Sequence, residues 1–337
     1  MRGAVMQSNA DHRRNTHRRS GVTWIDVAVT IFVLLVLAAL LLPAMGTNRH
    51  HSRRLECQNN MKQLLTAMMY HASKNDGALP WLSVENNAGI VSNWVIDLLP
   101  ELDNTAVQSE WDTRSYKERA RFEISLEMLQ CPSDPTSFQV DGGLSYVVNS
   151  GYGHFQVAPQ TGAVYEIIPH GQNTIDWDRD GEVTRDDRLI SIATGVFWPK
   201  NQGDTLRSSL DYISSADGQA NTLLFAESLN VGKWNSAKTL DIAFVAGVDR
   251  IQFDGDGSAI QHLSLSGANL GPYGVAGGNI PRHTPSPSSN HLGVSIYGFA
   301  DGAARQISDT IDPTVYLRLM TPNGHQFGQT NDALEDY

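Results

Sequence analysis

The sequence is poor in cysteine and lacks the short motifs that mark the common classes of enzyme. Only two of its 337 residues are cysteine. It contains no nucleophile elbow, no phosphate-binding loop and no His-Glu-x-x-His zinc motif. Its eleven histidines are scattered, and no internal repeat is found. We therefore expect a protein that is not an enzyme, with a chain long enough for one or two domains.

The chain has little positive charge outside its first residues. It carries 25 Lys and Arg against 36 Asp and Glu, a net charge of −11. The first 21 residues hold five Arg and one Asp, a net charge of +4, which leaves −15 for the rest of the chain. Nucleic-acid binding requires a basic surface, so we expect no nucleic-acid partner.

The sequence has one long apolar run. Positions 27 to 42 contain Thr30 as the only polar residue, and the wider segment 22–45 has 24 residues. At ~1.5 Å per residue, a helix of this length crosses a ~30 Å hydrocarbon core. The basic flank before it favours a cytoplasmic N-terminus. We therefore expect a single-pass protein of the cytoplasmic membrane, with its head in the periplasm or outside the cell.

The residues that lead into this run, Gly21-Val22-Thr23-Trp24-Ile25-Asp26, resemble a type IV prepilin processing site. The resemblance implies that a prepilin peptidase cuts between Gly21 and Val22 and methylates the new amine. It also implies that Asp26 pairs with the N-terminal amine of a neighbouring subunit, and that Pro43 kinks the helix. The alternatives are a signal anchor without processing and an Asp26 that stays hydrated at the headgroup boundary.

Further segments resemble bacterial prepilin-type cleavage and methylation proteins that end in a His-x9-Asp-Gly domain, a pilin-like family that has a solute-binding-like label. The segments that carry this resemblance are Arg53–Leu64, Trp94 with Leu98-Leu99-Pro100, Cys131–Pro135, Ser145–Val147, Asn221–Glu227 and the combination of His291 with Asp301-Gly302. Both cysteines lie in these segments. In an exported head Cys57 and Cys131 can pair, and we favour a disulfide over two buried thiols.

The pattern of the chain indicates an α+β fold: a long N-terminal pilin-like helix, its first half embedded in the membrane, packed on a mostly antiparallel, β-rich globular head. We expect a basic leader over 1–21, the helix over 22–76 and the head over 77–337. An apolar stripe at helical spacing supports the second half of the helix, and Gly77 is expected to end it. The stripe consists of Cys57, Met61, Leu64, Met68 and Ala72.

The head sequence alternates short apolar runs with turn residues. We expect short helices at Trp94–Leu99 and Thr314–Met320. The expected strands are Leu144–Val148, Leu189–Phe197, Asn221–Ala226, Ile242–Ala246 and Val294–Phe299.

The strongest chemical signal lies at 176–187, which fits a twelve-residue calcium loop. Its expected ligands are Asp176, Asp178, Asp180, Glu182 through its carbonyl, Thr184 directly or through water, and Asp187. Alternating Asp residues supply the oxygen ligands that calcium requires, and Gly181 supplies the sharp turn. Asp187 at the last position resembles the dockerin form. We expect a structural calcium ion here; the alternative is an Asp- and Gly-rich turn without metal.

His291 and Asp301 invite a catalytic interpretation that the geometry opposes. Asp301-Gly302 is a hairpin turn signal. Ten residues of extended strand, at ~3.3 Å each, would hold His291 about 30 Å from Asp301. We therefore expect structural roles: Asp301 and Gly302 form the turn, and His291 anchors the loop before the strand.

The leading functional hypothesis is a pilin-like or pseudopilin-like structural subunit of an envelope assembly or a type II secretion system. Its partners would be the membrane, the prepilin peptidase, and pilin-like or secretion-system subunits. The alternative is a membrane-tethered extracytoplasmic module that binds a glycan or another solute.

Overall fold

The structure of the protein is a computed structural model. It describes residues 21–41, 44–153, 155–157, 164–166, 182, 184–200, 205, 207–229, 231–253, 260–265, 273–274 and 287–324. The chain divides into two compact units, Met1–Arg49 and His50–Tyr337.

The α-helices and strands of the described residues are named in chain order. The helices are α1 (Trp24–Leu41), α2 (Ala44–Lys74), α3 (Trp94–Leu98), α4 (Thr105–Thr113), α5 (Tyr116–Arg119), α6 (Arg185–Thr194), α7 (Leu210–Ser215), α8 (Thr239–Ile242) and α9 (Pro313–Met320). The strands are β1 (Ser83–Asn86), β2 (Gly89–Asn93), β3 (Tyr146–Gly153), β4 (Phe155–Val157), β5 (Val164–Glu166), β6 (Leu223–Glu227), β7 (Ala243–Phe253), β8 (Ile260–Leu265), β9 (Tyr273–Gly274), β10 (Ser288–Ser289), β11 (Val294–Phe299) and β12 (Ala304–Ser308).

In the first unit, α1 starts after Thr23 because Thr23 and Asp26 cap it. The backbone N–H and the hydroxyl of Thr23 both donate to the Asp26 carboxylate, at 2.9 and 2.7 Å. The apolar side chains of α1 are exposed, including Trp24 at 82% and Phe32 at 66%.

The prediction that the first half of the long helix is embedded in the membrane is not supported. Among the residues that the structure describes, no helix combines the length and the apolar character that crossing a membrane requires. The kink expected at Pro43 lies outside the described residues.

In the second unit, a six-stranded sheet has the order β12-β11-β6-β3-β7-β8. Its pairings are antiparallel except for β3 with β7, which are parallel. The expected α+β, antiparallel-rich head is therefore confirmed.

Helix α2 covers one face of this sheet. All five residues of its apolar stripe, from Cys57 to Ala72, are fully buried. The helix lies close to β11 because Gly298 has no side chain: a Cβ there would come within 3.1 Å of three side-chain atoms of Leu65. Gly77, with φ +79°, follows the helix and donates its N–H to the Ala72 carbonyl at 2.9 Å. The stripe and its stop signal are thus where the sequence predicts them.

The prediction of a strand at Leu189–Phe197 is wrong. Most of that segment belongs to α6, because Thr184 and Asp187 form a capping box that begins a helix there. The chain becomes extended only after Gly195, where the N–H groups of Val196 and Phe197 donate to the Asn149 carbonyl. A local cap therefore outweighs the β-branched composition of the run.

Candidate functional site

The two cysteines form a disulfide, as expected from the sequence. Cys57 lies on α2 and Cys131 follows a short 3-10 turn at Glu127–Leu129; their Cα atoms are 5.0 Å apart and 74 residues separate them. A loop of this length constrains the unfolded chain by about 4 kcal/mol in the chain-entropy model. The bond ties the helix to the segment that leads into β3.

A buried acid and a buried histidine lie against this disulfide. The Nε2 atom of His291 is 3.2 Å from Oε1 of Glu227 and 3.7 Å from Sγ of Cys131. The side chains of His291 and Glu227 are 3% and 2% exposed. We call Cys57, Cys131, Glu227 and His291 the buried cluster.

Neighbouring groups fix the carboxylate of Glu227 and set its electrostatics. Its second oxygen, Oε2, accepts the backbone N–H of Ile296 at 2.9 Å. Burial raises the pKa of Glu227, and its hydrogen bond to His291 opposes that rise. The nearby carboxylate of Asp134 also raises the pKa of Glu227. Asp134 itself accepts hydrogen bonds from the N–H and hydroxyl of Thr136 and from the Ser145 hydroxyl, the last at 2.8 Å. The polar atoms of this region are therefore largely matched to one another.

The geometry of the buried cluster does not fit nucleophilic catalysis. A cysteine–histidine–acid relay uses one imidazole nitrogen for the nucleophile and the other for the acid. Here the same nitrogen, Nε2, faces both Cys131 and Glu227. The sulfur is moreover bonded to Cys57. The cluster instead joins α2, the end of β6 and the loop before β11.

His291 and Asp301 lie at opposite ends of β11, as the sequence argument requires. Gly302 has φ +81° in the turn to β12. The Asp301 carboxylate accepts the Ala303 N–H at 2.9 Å and pairs with Arg305. The sequence did not reveal Glu227 as the partner of His291. The available signal was an acid that ends the fully apolar run Leu223–Ala226, where burial demands a partner.

The calcium-type loop is described only at its end. Asp176, Asp178 and Asp180 lie outside the described residues. Glu182 is exposed, and Thr184 is the N-cap of α6. Asp187 is buried, and its Oδ2 accepts both the N–H and the hydroxyl of Thr184 at 2.8 Å. One oxygen of the last expected ligand is thus engaged as a helix cap.

The processing residues stand at the start of α1. Gly21 and Val22 precede the helix, and Asp26 lies in its first turn. In the single chain the Asp26 carboxylate is satisfied by Thr23 rather than by an amine.

A surface cleft of about 750 Å³ lies on the head. Its walls are the β1–β2 hairpin, α5 and the segments 136–143 and 231–241. The hairpin is held to α5 by a hydrogen bond from the Asn86 side chain to the Tyr116 hydroxyl, at 2.8 Å. The 136–143 wall turns tightly at Gly143, where any Cβ would lie 2.2 Å from the Ser137 carbonyl oxygen.

The lining of the cleft is mixed in polarity and balanced in charge. It includes the ring of Tyr116 and apolar side chains such as Val140 and Val231. Three lysines and three acids also line it, namely Lys117, Lys233, Lys238, Glu85, Asp141 and Asp241. Lys233 pairs with Glu123, and Asp241 accepts the Ser236 hydroxyl. No local pattern in the sequence predicts this cleft, because four separate segments form it.

The buried cluster and the surface cleft both lie within a region that matches a known family. A family model described as "Protein of unknown function (DUF1559)", with the short label SBP_bac_10, matches residues 47–314. The chain belongs to this family. Its label is of the solute-binding kind, which agrees with the alternative functional hypothesis. Comparison with curated proteins and with solved structures gives no match.

We expect Glu227→Ala to destabilise the head strongly. The change removes the acceptor for both His291 Nε2 and the Ile296 N–H, and loss of one partner of a buried pair costs about 3–5 kcal/mol. Glu227→Gln keeps one carbonyl oxygen and should cost about 1–3 kcal/mol. Urea unfolding measures both, with the exposed Glu56→Ala on α2 as the control, expected within about 0.5 kcal/mol of the parent. A loss below 1 kcal/mol for Glu227→Ala would contradict the role of the pair.

Proposed function

We propose that this protein is an extracytoplasmic solute-binding module, and that a short glycan of neutral or zwitterionic character binds in the surface cleft. The observation that carries the proposal is the cleft itself, which lies within the region matched by the family model. Its volume falls within the ~300–1,000 Å³ range of small-molecule sites. The proposed activity is binding rather than catalysis.

The chemistry of the lining favours a glycan over a charged solute. The lining contains three lysines and three acids, so its charges balance and favour neither a strongly anionic nor a strongly cationic ligand. Sugar hydroxyls, in contrast, donate to carboxylates such as Asp141 and accept from ammonium groups such as Lys117. The cleft therefore offers both kinds of hydrogen-bond partner to the same ligand.

The Tyr116 ring adds an apolar surface to this polar lining. It is half-buried in α5, and its hydroxyl is engaged by Asn86. The guanidinium of Arg119 lies 5.1 Å from the ring centroid and helps to hold the ring in place. A ring fixed in this way provides a contact surface for the C–H face of a sugar at a small entropic cost.

The disulfide supports an exported location. Disulfides persist in the periplasm and outside the cell and are rare in the cytosol. The Cys57–Cys131 bond is buried and closes a long loop. The head is therefore suited to an oxidising compartment, where extracytoplasmic solutes are encountered.

We expect a glycan array probed with the full-length chain to show binding of neutral or zwitterionic oligosaccharides. Tyr116→Ala should weaken the affinity roughly 5- to 10-fold, the loss of one aromatic contact. Asp141→Asn should weaken it as well, because a charged acceptor becomes neutral. Tyr70→Ala is the matched control, since Tyr70 is an exposed tyrosine on α2 outside the cleft lining. Absence of glycan binding, or equal losses for Tyr116→Ala and Tyr70→Ala, would contradict the proposal.

A second candidate function is a pilin-like or pseudopilin-like subunit at the cytoplasmic membrane. The observation in its favour is the exposed apolar surface of α1, with Ile25 at 63% and Phe32 at 66% exposure. In an assembly this surface would pack against α1 of neighbouring subunits, and Asp26 would exchange its Thr23 contacts for the amine of Val22.

We expect the membrane fraction of the native host to contain a chain that begins at Val22, with a methylated amine. Intact mass and N-terminal sequencing measure this. Gly21→Val should block the cut, because the peptidase requires glycine at that position in the resembling family, whereas Gly3→Val serves as a control in the leader. A native chain that begins at Met1 would rule out the processed form.

We also propose that the loop 176–187 binds calcium as a structural ion. The support from the described residues is that Thr184 and Asp187, the last two expected ligands, form the capping box that begins α6, so a bound ion would hold the loop against the beginning of that helix.

Calcium should raise the melting temperature of the full-length chain, and magnesium should raise it less, because the ligand number and spacing suit the larger ion. The double variant Asp176→Asn, Asp178→Asn should lose the response to calcium. The exposed Asp112→Asn on α4 should keep it. Calorimetry that shows no binding heat would exclude the site.

A further inference from the structure

Four side chains that commonly bind metals meet in the buried cluster. One ligand atom from each of Cys57, Cys131, Glu227 and His291 lies within 4.8 Å of all the others. All four residues are buried. They come from α2, the turn after Leu129, the end of β6 and the loop before β11, so the fold itself brings them together. The disulfide uses only two of the four.

We propose that reduction of the Cys57–Cys131 disulfide converts the buried cluster into a Zn²⁺ site. A dithiol reductant would supply two electrons and two protons and would itself become a disulfide. The Sγ–Sγ bond breaks, and two thiols form. Zn²⁺ then displaces both thiol protons and is bound by two thiolates, His291 Nε2 and Glu227 Oε1. This site shares no residue with the lining of the surface cleft and does not rest on the proposed glycan ligand.

The distances around His291 already approach those of a tetrahedral zinc centre. With Zn–N and Zn–O near 2.05 Å, the N···O edge of a tetrahedron is about 3.3 Å, and with Zn–S near 2.3 Å the N···S edge is about 3.5 Å. The structure has 3.2 Å between His291 Nε2 and Glu227 Oε1, and 3.7 Å between His291 Nε2 and Cys131 Sγ. The two sulfurs must also separate to about 3.8 Å, which reduction allows.

Surrounding hydrogen bonds orient the ligands for this purpose. The Ile296 N–H holds Glu227 Oε2 at 2.9 Å, which leaves Oε1 facing the histidine and the sulfurs. The His291 N–H donates to the Ser289 hydroxyl at 3.2 Å and fixes the backbone of the histidine. The Tyr146 hydroxyl donates to the Cys57 carbonyl at 3.1 Å. Partners of this kind tune affinity at metal sites.

The charges favour a cation once the disulfide is open. Two thiolates and the Glu227 carboxylate give −3 around a neutral imidazole, and Zn²⁺ reduces this to −1. Thiolate and imidazole ligands suit zinc, whereas calcium and magnesium require oxygen ligands. The redox state of the surroundings therefore selects between a disulfide and a zinc site at the same four residues.

The test compares the oxidised and reduced full-length chain in mild detergent under anaerobic conditions. Reduction uses a phosphine, which cleaves the disulfide without competing as a thiol ligand. A thiol assay confirms two thiols per chain, and where the native chain resists the phosphine, reduction in urea precedes refolding. Co²⁺, a spectroscopic substitute for Zn²⁺, should bind the reduced chain one to one, with thiolate charge-transfer and tetrahedral d–d bands that Zn²⁺ abolishes. Zn²⁺ should raise the melting temperature of the reduced chain only.

Variants identify the ligands. His291→Asn and Glu227→Gln should each weaken Zn²⁺ binding to the reduced chain by roughly 100-fold or more. Loss of a residue that only hydrogen-bonds to a metal ligand typically weakens binding by about 10- to 100-fold. The double variant Cys57→Ser, Cys131→Ser should lose the thiolate bands. His71→Asn is the matched control, because His71 lies on α2 outside the cluster, and it should bind as the parent does.

Three results would overturn the proposal. One is a reduced chain that binds Zn²⁺ no more tightly than the oxidised chain. Another is full affinity in both His291→Asn and Glu227→Gln. The third is a reduced chain that unfolds and is not restored by Zn²⁺. The oxidised chain also provides the background for adventitious binding at surface histidines. None of these results bears on glycan binding in the cleft, which is measured on the oxidised protein.

Discussion

The structure of the head depends on the junction at which the Cys57–Cys131 disulfide meets the His291–Glu227 pair. The disulfide links α2 to the chain that enters the sheet at β3, and the hydrogen bond between His291 and Glu227 links the end of β6 to the loop before β11. The same helix buries its whole apolar stripe on the sheet. A covalent bond and a buried polar pair thus hold together elements that lie far apart in sequence.

Burying the polar groups of this junction costs free energy, and hydrogen bonds from the surrounding residues offset that cost. A buried carboxylate loses its hydration, and this loss is recovered only through good hydrogen bonds. Glu227 has them from His291 and Ile296, and Asp134 has them from Thr136 and Ser145. Because each acceptor depends on donors from other segments, the polar network specifies one arrangement of these segments more sharply than apolar packing alone would.

Local and periodic features could be predicted from the sequence, and features that depend on distant partners could not. The stripe from Cys57 to Ala72 and the strand Val294–Phe299 follow from spacing. The apolar run Leu189–Phe197 predicts a strand, but the cap at Thr184 makes most of it part of helix α6. No local pattern predicts Glu227 as the partner of His291, since 64 residues separate them and only the sheet order brings them together.

The buried cluster and the surface cleft share one stretch of chain, and this couples them. The segment from Cys131 to Gly143 begins at the disulfide and ends as a wall of the cleft. The buried side chain of Gln130 connects the two ends, because it accepts the Gln139 N–H at 2.7 Å and donates to the Val140 carbonyl at 2.8 Å. A ligand that ordered the wall would therefore also stabilise the loop that carries Cys131. By linkage, opening of the disulfide would then weaken the binding of that ligand by the same factor by which the ligand protects the disulfide.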